Sequence, residues 1–335
     1  MGKKIIDNVK QFFKENYKYL CILLVILILF QYELPYKIYT PGGMVNLSDR
    51  ISVEGGSTSE GELGMAYVSM VRGSIPFLLF SYIIPDWDIV PESEVTYSNQ
   101  TFEETVKADQ IATQQSVDSA IIAAYREAGE EVHVYSEKVN ITYIDDGAQT
   151  DIQLFDQIIQ IEGESISSTE ELRAVIQNYE VGDTVHLKVL RDGVEKDCTA
   201  VVYELNDSKV IGVSITVTYE YDETPAASIE MKKSESGPSG GLMMSLAIYD
   251  ALVEEDITKG KKIIGTGTID INGNVGAISG VKYKLIGAVK QKAEVFLVPV
   301  DNYEEAKSVK EEKGYDIELI PVLTLQEAIQ SLAEL

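Results

Sequence analysis

An unbroken apolar run near the start of the chain is the strongest constraint on its fold. From Tyr19 to Phe30 no residue is charged, and a helix of this composition is hydrophobic on every side, which excludes an amphipathic surface helix. Five lysines precede the run against two acidic residues, an excess that the positive-inside rule assigns to the cytoplasm. The sequence therefore predicts a basic cytoplasmic tail over residues 1–18 and a single transmembrane helix over residues 19–32. The rest of the chain, with any catalytic domain, is then expected outside the cytoplasm and attached to the cell membrane.

A cleavable signal peptide is the alternative interpretation of the same run. Signal peptides end at a small-residue site of the Ala-x-Ala type. No alanine occurs between Gln31 and Met65, so an uncleaved anchor is the favoured prediction.

Composition removes several classes of function. The net charge of -26 opposes nucleic-acid binding, which requires clustered Lys and Arg to neutralise phosphates. With two cysteines, Cys21 and Cys198, the chain can build neither a disulfide framework nor a cysteine metal site. The sequence calls for no metal and no cofactor, and the scarcity of histidine, limited to His133 and His186, narrows the catalytic chemistries further.

Residues 33–135 are expected to form a juxtamembrane segment of strands followed by a long helix. The helix is predicted from Ser98 to Gly129, because Thr101 and Glu104 match a capping box and a glycine stands at its end. Nothing in this segment points to chemistry, and we interpret the helix as a packing element.

Residues 136–206 show the pattern of a small domain of strands and one helix. Ser168 and Glu171 predict a capped helix, and Asp192 with Gly193 predicts the turn of a hairpin. The order of elements, with Gln157 to Gly163 and Gly182 to Val185, resembles a bacterial PDZ domain. That resemblance implies binding of an extended peptide as an added strand, the alternative being a spacer that positions its neighbour.

A glycine-rich loop in residues 207–335 carries the candidate nucleophile. Ser239 follows Gly237 and Pro238 and precedes Gly240, directly before a helix predicted from Gly240 to Val253. One interpretation is that Ser239 simply caps this helix. The other is that small neighbours admit a substrate while loop amides and the positive helix end stabilise an oxyanion.

A serine nucleophile needs a base, and the two histidines fall in other parts of the sequence, which makes a Ser-His-Asp triad improbable. The remaining option is a lysine whose pKa is lowered by burial. Lys284 precedes a small, apolar helical segment that could bury its stem, and Lys282 competes with it. The two point about 200° apart on a helix, so only one can face Ser239.

Five ordered motifs in the last third resemble the Lon protease proteolytic domain. They are Gly237-Pro238-Ser239-Gly240-Gly241, Gly265-Thr266-Gly267-Thr268-Ile269, Gly273-Asn274-Val275-Gly276-Ala277-Ile278, Gly280-Val281 with Lys284, and Val298-Pro299 with Asn302. The resemblance implies that Ser239 is the nucleophile, that Lys284 is the general base, and that Thr266 hydrogen-bonds the lysine. Gly240 departs from the family's usual alanine, and Ser279 from the first glycine of a Gly-Gly pair.

The anchor, the PDZ-like unit and the Lon-like domain, in this order, resemble the membrane-bound PDZ/Lon-like proteases of Gram-positive bacteria. We therefore expect an α+β chain that acts as a membrane-tethered serine endopeptidase on secreted peptides or flexible exported polypeptides. Because no Gly-x-x-x-x-Gly-Lys-Ser/Thr loop occurs, cleavage should not depend on ATP. The alternative is a surface adaptor that binds peptide tails without cleaving them, and association into a homo-oligomer is left open.

Overall fold

The computed structural model describes residues 2–96, 99–232 and 234–335, with side chains from residue 10 onward. The helices are α1 Gly2–Gln31, α2 Ile75–Ser81, α3 Phe102–Ala128, α4 Thr169–Gln177, α5 Gly241–Leu252, α6 Val281–Lys290, α7 Tyr303–Lys313 and α8 Leu325–Ala333. The first strands are β1 Glu33–Asn46, β2 Ile51–Val53, β3 Glu62–Ser74, β4 Asp88–Pro91, β5 Glu131–Ile144, β6 Gln157–Ile161, β7 Glu164–Ser165, β8 Thr184–Arg191 and β9 Val194–Val201. The remaining strands are β10 Tyr203–Leu205, β11 Ser208–Val210, β12 Val213–Thr224, β13 Ala227–Ile229, β14 Lys262–Gly265, β15 Thr268–Ile269, β16 Val275–Gly276, β17 Val295–Pro299 and β18 Glu318–Val322.

The chain divides into two compact units. The smaller comprises residues 1–41 and 68–96, and the larger comprises residues 42–67 with those from 97 onward. In the smaller unit the first part of β1 pairs antiparallel with β4, and Phe30 of α1 packs edge-on against Phe77 of α2. Both candidate functional domains lie in the larger unit.

The prediction of a transmembrane helix over residues 19–32 is wrong. None of the helices in the described ranges combines the length and the apolarity needed to cross a membrane. Helix α1 has 30 residues, but its uninterrupted apolar part runs only from Tyr19 to Phe30. At a rise of 1.5 Å per residue this part covers about 18 Å, against a hydrocarbon core of about 30 Å. The location of the chain in the cell stays a prediction.

A parallel sheet organises the C-terminal part of the larger unit. Strand β14 pairs in parallel with β3 and β17, and β17 pairs in parallel with β18. Alternate residues enter different cores: Ile263 and Leu297 pack with α3, α5 and α8, whereas Ile264 and Phe296 pack with α6 and α7. Helices therefore cover both faces, which is why all five residues of β17 are apolar and buried.

The PDZ-like part is an antiparallel sheet in the order β12-β5-β6-β8-β9, with β7 beside β6. Its core includes Val139, Ile141, Val185 and Leu187, which alternate along their strands as the sequence predicts. The Asp192-Gly193 turn joins β8 to β9 with both residues at positive φ, and the Ser168 side chain caps α4. These elements are confirmed.

The long helix α3 belongs to the larger unit; it begins at Phe102, four residues after the predicted start at Ser98, and it ends before Gly129 as predicted. Thr101 and Glu104 form a complete capping box, and Gly129 closes the helix in the left-handed conformation. Ser98, where the sequence places the start of this helix, lies outside the described residues. Residues of α3 from Val117 to Tyr125 enter the core beside α5, so the helix does pack, but its polar residues have a second role described below.

Candidate active site

Ser239 lies in the loop directly before α5. The helix begins at Gly241 with Gly240 as its N-cap, and no side chain caps it. The capping interpretation of Ser239 is therefore not realised, and the half-buried serine is left with its hydroxyl uncommitted to the helix. Ser239 precedes the positive end of a buried helix, where negative charge is stabilised.

Helix α3 holds the residues just before Ser239. Gly237 has φ +102, a backbone conformation that favours glycine, and its N–H donates to Thr113 Oγ1 at 2.8 Å. Ser116 Oγ donates to the carbonyl of Pro238 at 2.9 Å. Both side chains are buried, at 7% and 2% exposure. Two hydroxyl groups of the long helix thus position the loop of the candidate nucleophile.

The sequence interpretation of α3 as a packing element missed this role. A signal was present, because Thr113 and Ser116 are three positions apart on a helix and therefore share a face with each other and with apolar Val117 and Ala120. Polar residues on a buried face need hydrogen-bond partners. The sequence could not reveal that those partners lie more than 120 residues further along the chain.

The carbonyl of Ser239 is held from the opposite side of the loop. It accepts the N–H of Gly267 at 2.9 Å and the Oγ1–H of Thr266 at 3.0 Å. Thr266 is fully buried and follows β14, the strand that lies between β3 and β17. The main chain at Ser239 is therefore fixed between α3 and the end of a central strand.

Lys284 is buried in the first turn of α6 with an exposure of 3%. Its Nζ donates to Thr266 Oγ1 at 2.9 Å. It forms no ion pair with any residue in the described ranges. Because burial withholds water from the charged form, the pKa of Lys284 falls from 10.5 to about 7. A large fraction of this amine is neutral at physiological pH.

The two candidate lysines differ in burial. Lys282 is half-buried and lies near the ring of Tyr283, whereas Lys284 points inward. The loop before α6 is fixed by Asn302, whose Oδ1 accepts the N–H of Ile278 and whose Nδ2 donates to the carbonyl of the same residue. These two bonds set where α6 starts, and with it the position of Lys284.

The arrangement combines a loop serine, a buried amine with lowered pKa, and a threonine that contacts both residues. This arrangement can support proton transfer and nucleophilic attack.

Residues 226–334 match the Lon protease (S16) C-terminal proteolytic domain. Residues 119–202 match a PDZ domain. The Lon-type match contains Ser239, Thr266 and Lys284, and the PDZ match includes the end of α3.

Whole relatives are similar over limited regions. A Lon protease of Aster yellows witches'-broom phytoplasma is 26% identical over 141 residues, which are 41% of this chain and 17% of that protein. A Lon protease of Campylobacter jejuni is 35% identical over 97 residues, or 29% of this chain and 12% of the relative. The crystallised PDZ domain of an SdrC-like protein from Listeria monocytogenes is 19% identical with a TM-score of 0.23 and covers 25% of this chain and 92% of its own. The chain thus spans less than a fifth of the curated relatives it matches.

Two main-chain N–H groups in the loop of the Lon-type domain, those of Ser239 and of the residue after it, are free to donate to a ligand. In the part of the chain that the structure describes, the N–H groups of Ser239 and Gly240 have no hydrogen-bond acceptor. Gly237 uses its N–H on Thr113, and Pro238 has none. Of the three loop residues named in the sequence analysis, Gly240 is thus the one able to donate to an oxyanion, while Gly237 and Pro238 shape the loop.

The departure of this Lon-type domain at Gly240 has a local explanation. A Cβ atom at this position would lie 2.6 Å from the Sδ atom of Met65 on β3. The glycine therefore leaves room for a methionine that packs beneath the loop. Backbone geometry at Ser239 does not depend on a side chain at 240.

No histidine contributes to the Lon-type site. His133 lies on β5 beside Tyr135, and His186 lies on β8, both in the antiparallel sheet. Within the described ranges no group of His, Cys, Asp and Glu could hold a metal ion. The candidate base of the domain is therefore the lysine.

Proposed function

We propose that the chain is a serine endopeptidase in which Ser239 is the nucleophile and Lys284 the general base. The observation that carries the proposal is the buried lysine without a counter-ion, whose pKa of about 7 makes it a proton acceptor at neutral pH. Burial of a lysine without a counter-ion lowers the stability of the fold, and a role in acid-base catalysis explains why such a residue is present. Its partner Thr266 also donates to the main chain of Ser239, which ties the amine to the nucleophile loop.

The reaction would be acyl transfer. Neutral Lys284 accepts the proton of the Ser239 hydroxyl while Oγ attacks the peptide carbonyl, and the amine later returns that proton to the leaving nitrogen. Water then hydrolyses the acyl-enzyme with the same lysine as base. The Nζ atom of Lys284 donates to Thr266 and not to Ser239 Oγ, so the proton transfer requires a movement of the lysine or of the serine side chain. Such hydrogen bonds commonly tighten only when substrate is bound.

The oxyanion of the tetrahedral intermediate would be stabilised by the free N–H groups of Ser239 and Gly240. Both precede α5, and the positive end of that helix adds to their effect. Donors that are already in place need no reorganisation during the reaction, and one such donor contributes about 3 kcal/mol to catalysis.

We propose that the substrates are flexible polypeptides or peptides and that cleavage by this chain needs no ATP. A sequence without a phosphate-binding Gly-x-x-x-x-Gly-Lys-Ser/Thr loop supports the second point. A domain that does not unfold its substrates can cleave only segments that are already extended. The PDZ match suggests that the antiparallel sheet holds such a segment by strand addition.

The test is cleavage of an unfolded protein and of unstructured fluorogenic peptides by the full chain. We expect turnover without ATP, no gain when ATP and Mg²⁺ are added, and loss of turnover in Ser239→Ala. Ser208→Ala, which changes an exposed serine of β11, is the matched control and should retain the rate. Undiminished cleavage by Ser239→Ala would refute the assignment of the nucleophile. Peptide binding without turnover by the unmodified chain would favour the adaptor alternative.

A further inference from the structure

An ion pair holds the nucleophile loop at a point further from Ser239 than the two hydroxyl groups of α3. Glu235 lies four residues before Ser239, and its Oε1 atom pairs with Nη2 of Arg50 at 2.9 Å. The arginine side chain is 16% exposed and the glutamate side chain 19%, so most of the pair is withdrawn from water. Removing one partner of a largely buried pair leaves an uncompensated charge, whereas an exposed pair contributes little. The contact with Arg50 is therefore a strong restraint on this part of the loop.

Both charged groups also make hydrogen bonds to the main chain near the loop. The Oε2 atom of Glu235 accepts the N–H of Lys232 at 2.9 Å, and the N–H of Glu235 donates to the carbonyl of Lys232 at 2.8 Å. The Nη1 atom of Arg50 donates to the carbonyl of Glu230 at 3.3 Å. The carbonyl of Arg50 accepts the N–H of Glu230 at 2.8 Å. The ion pair thus joins Lys232 and Glu235 to the residue that follows β13.

The side chains that restrain this loop come from outside the Lon-type match. Arg50 lies between β1 and β2, and Thr113 and Ser116 lie on α3, so all three precede residues 226–334. The two residues of α3 hold the two positions directly before Ser239, and Arg50 holds the loop through Glu235. The path of the main chain into Ser239 is therefore fixed by contacts from two separate segments, of which Arg50 supplies one.

We propose that Arg50 is a positioning residue of the candidate active site, which sets the path of the loop before Ser239 through its ion pair with Glu235. The inference rests on the proposed peptidase function and assigns to its site a residue from outside the matched catalytic domain. Arg50 acts through the loop and not on the reacting atoms. A displacement of about 1 Å at a reacting group lowers a rate about 100-fold, so loss of one of two restraints should lower kcat about tenfold.

The experiment compares charge variants of the full chain on unstructured peptides, with each rate divided by the folded fraction of the variant. Arg50→Met keeps the aliphatic stem, and we expect kcat to fall about tenfold while KM and the pH midpoint of the rate stay unchanged. Arg50→Glu places two carboxylates together and should lower kcat about 100-fold. Combining it with Glu235→Arg restores opposite charges and should recover about tenfold of that loss. Arg72→Met, which removes an exposed pair with Glu33 in the smaller unit, is the control and should retain the rate.

Hydrogen exchange separates this inference from the proposed function, because it requires no turnover. We expect Arg50→Met to speed amide exchange in residues 234–240 about tenfold, with the rest of the chain and the Arg72→Met control unchanged. If the unmodified chain cleaves nothing while this local effect occurs, the peptidase proposal fails and the restraint by Arg50 stands. If Arg50→Met leaves exchange in the loop unchanged, if it speeds exchange equally along the whole chain, or if the charge exchange is no faster than Arg50→Glu alone, the positioning role is refuted.

Discussion

The Nζ atom of Lys284 lies 2.9 Å from the Oγ1 atom of Thr266, and that contact joins two elements that are separate in sequence. Thr266 follows a central strand, Lys284 starts a helix on one face of the sheet, and both are buried. The threonine hydroxyl accepts from the lysine and donates to the Ser239 carbonyl, so one side chain relates the base to the nucleophile loop.

The rate of peptide cleavage should rise with pH through a midpoint near 7. Lys284 accepts a proton only in its neutral form, and burial lowers its pKa to about 7. A pH profile of kcat/KM with unstructured peptides measures this midpoint. Lys284→Arg should be inactive at every pH between 5 and 9, because a guanidinium group stays protonated over this range. Near-normal rates in that variant would exclude the lysine as base.

Replacement of Thr266 by valine should lower kcat while leaving KM nearly unchanged. Valine has the shape of threonine, but it can neither accept from Lys284 nor donate to the Ser239 carbonyl. Loss of two buried hydrogen bonds at the reacting groups should reduce kcat about 10- to 100-fold. Thr266→Ser retains the hydroxyl and should restore most of the rate. Equal loss in the serine and valine variants would show that packing, and not the hydroxyl, is what matters.

Replacement of Thr113 by valine should lower kcat, although Thr113 does not contact the bond that is cleaved. The N–H of Gly237 loses its 2.8 Å acceptor, and the loop before Ser239 becomes less ordered. Small displacements of a nucleophile lower kcat, and a fall of about tenfold is expected. The pH midpoint should not move, because the surroundings of Lys284 are unchanged. Thr113→Ser should recover the rate, and a shifted midpoint in Thr113→Val would contradict a role limited to the loop.

Lys284→Met should stabilise the fold at low pH. The pKa of about 7 for Lys284 in the folded chain lies below the 10.5 of an exposed lysine, so the unfolded state binds more protons between these two pH values. The stability of the natural chain should therefore increase as pH rises from 7 toward 10. At pH 6 the methionine variant should exceed it by about 3 kcal/mol in free energy of unfolding, and this gap should shrink at high pH. Denaturant unfolding at pH 6, 8 and 10 measures the difference, with Lys282→Met as the control at a less buried lysine.

The sequence was sufficient to predict the helix starts and the turn that depend on contacts between residues close together in the chain. Thr101 and Glu104 predicted the start of α3, Ser168 predicted that of α4, and Asp192 with Gly193 predicted the turn of the β8–β9 hairpin. Each depends on hydrogen bonds between residues a few positions apart, which sequence records directly. The transmembrane helix was the error, because apolar composition was given more weight than the length of the apolar run.

For the candidate site, the sequence alone determined which types of side chain are available for catalysis. It supplied a serine in a glycine-rich loop before a helix, a lysine at the start of another helix, and no histidine nearby. Only the tertiary structure decided that Lys284 and not Lys282 is buried, that Thr266 contacts both Lys284 and the Ser239 carbonyl, and that Thr113 and Ser116 hold the loop. The physical reason is that a pKa and a hydrogen bond depend on which groups surround an atom. Here the hydrogen-bonded groups lie between 18 and 124 residues apart in the sequence, and only packing brings them together.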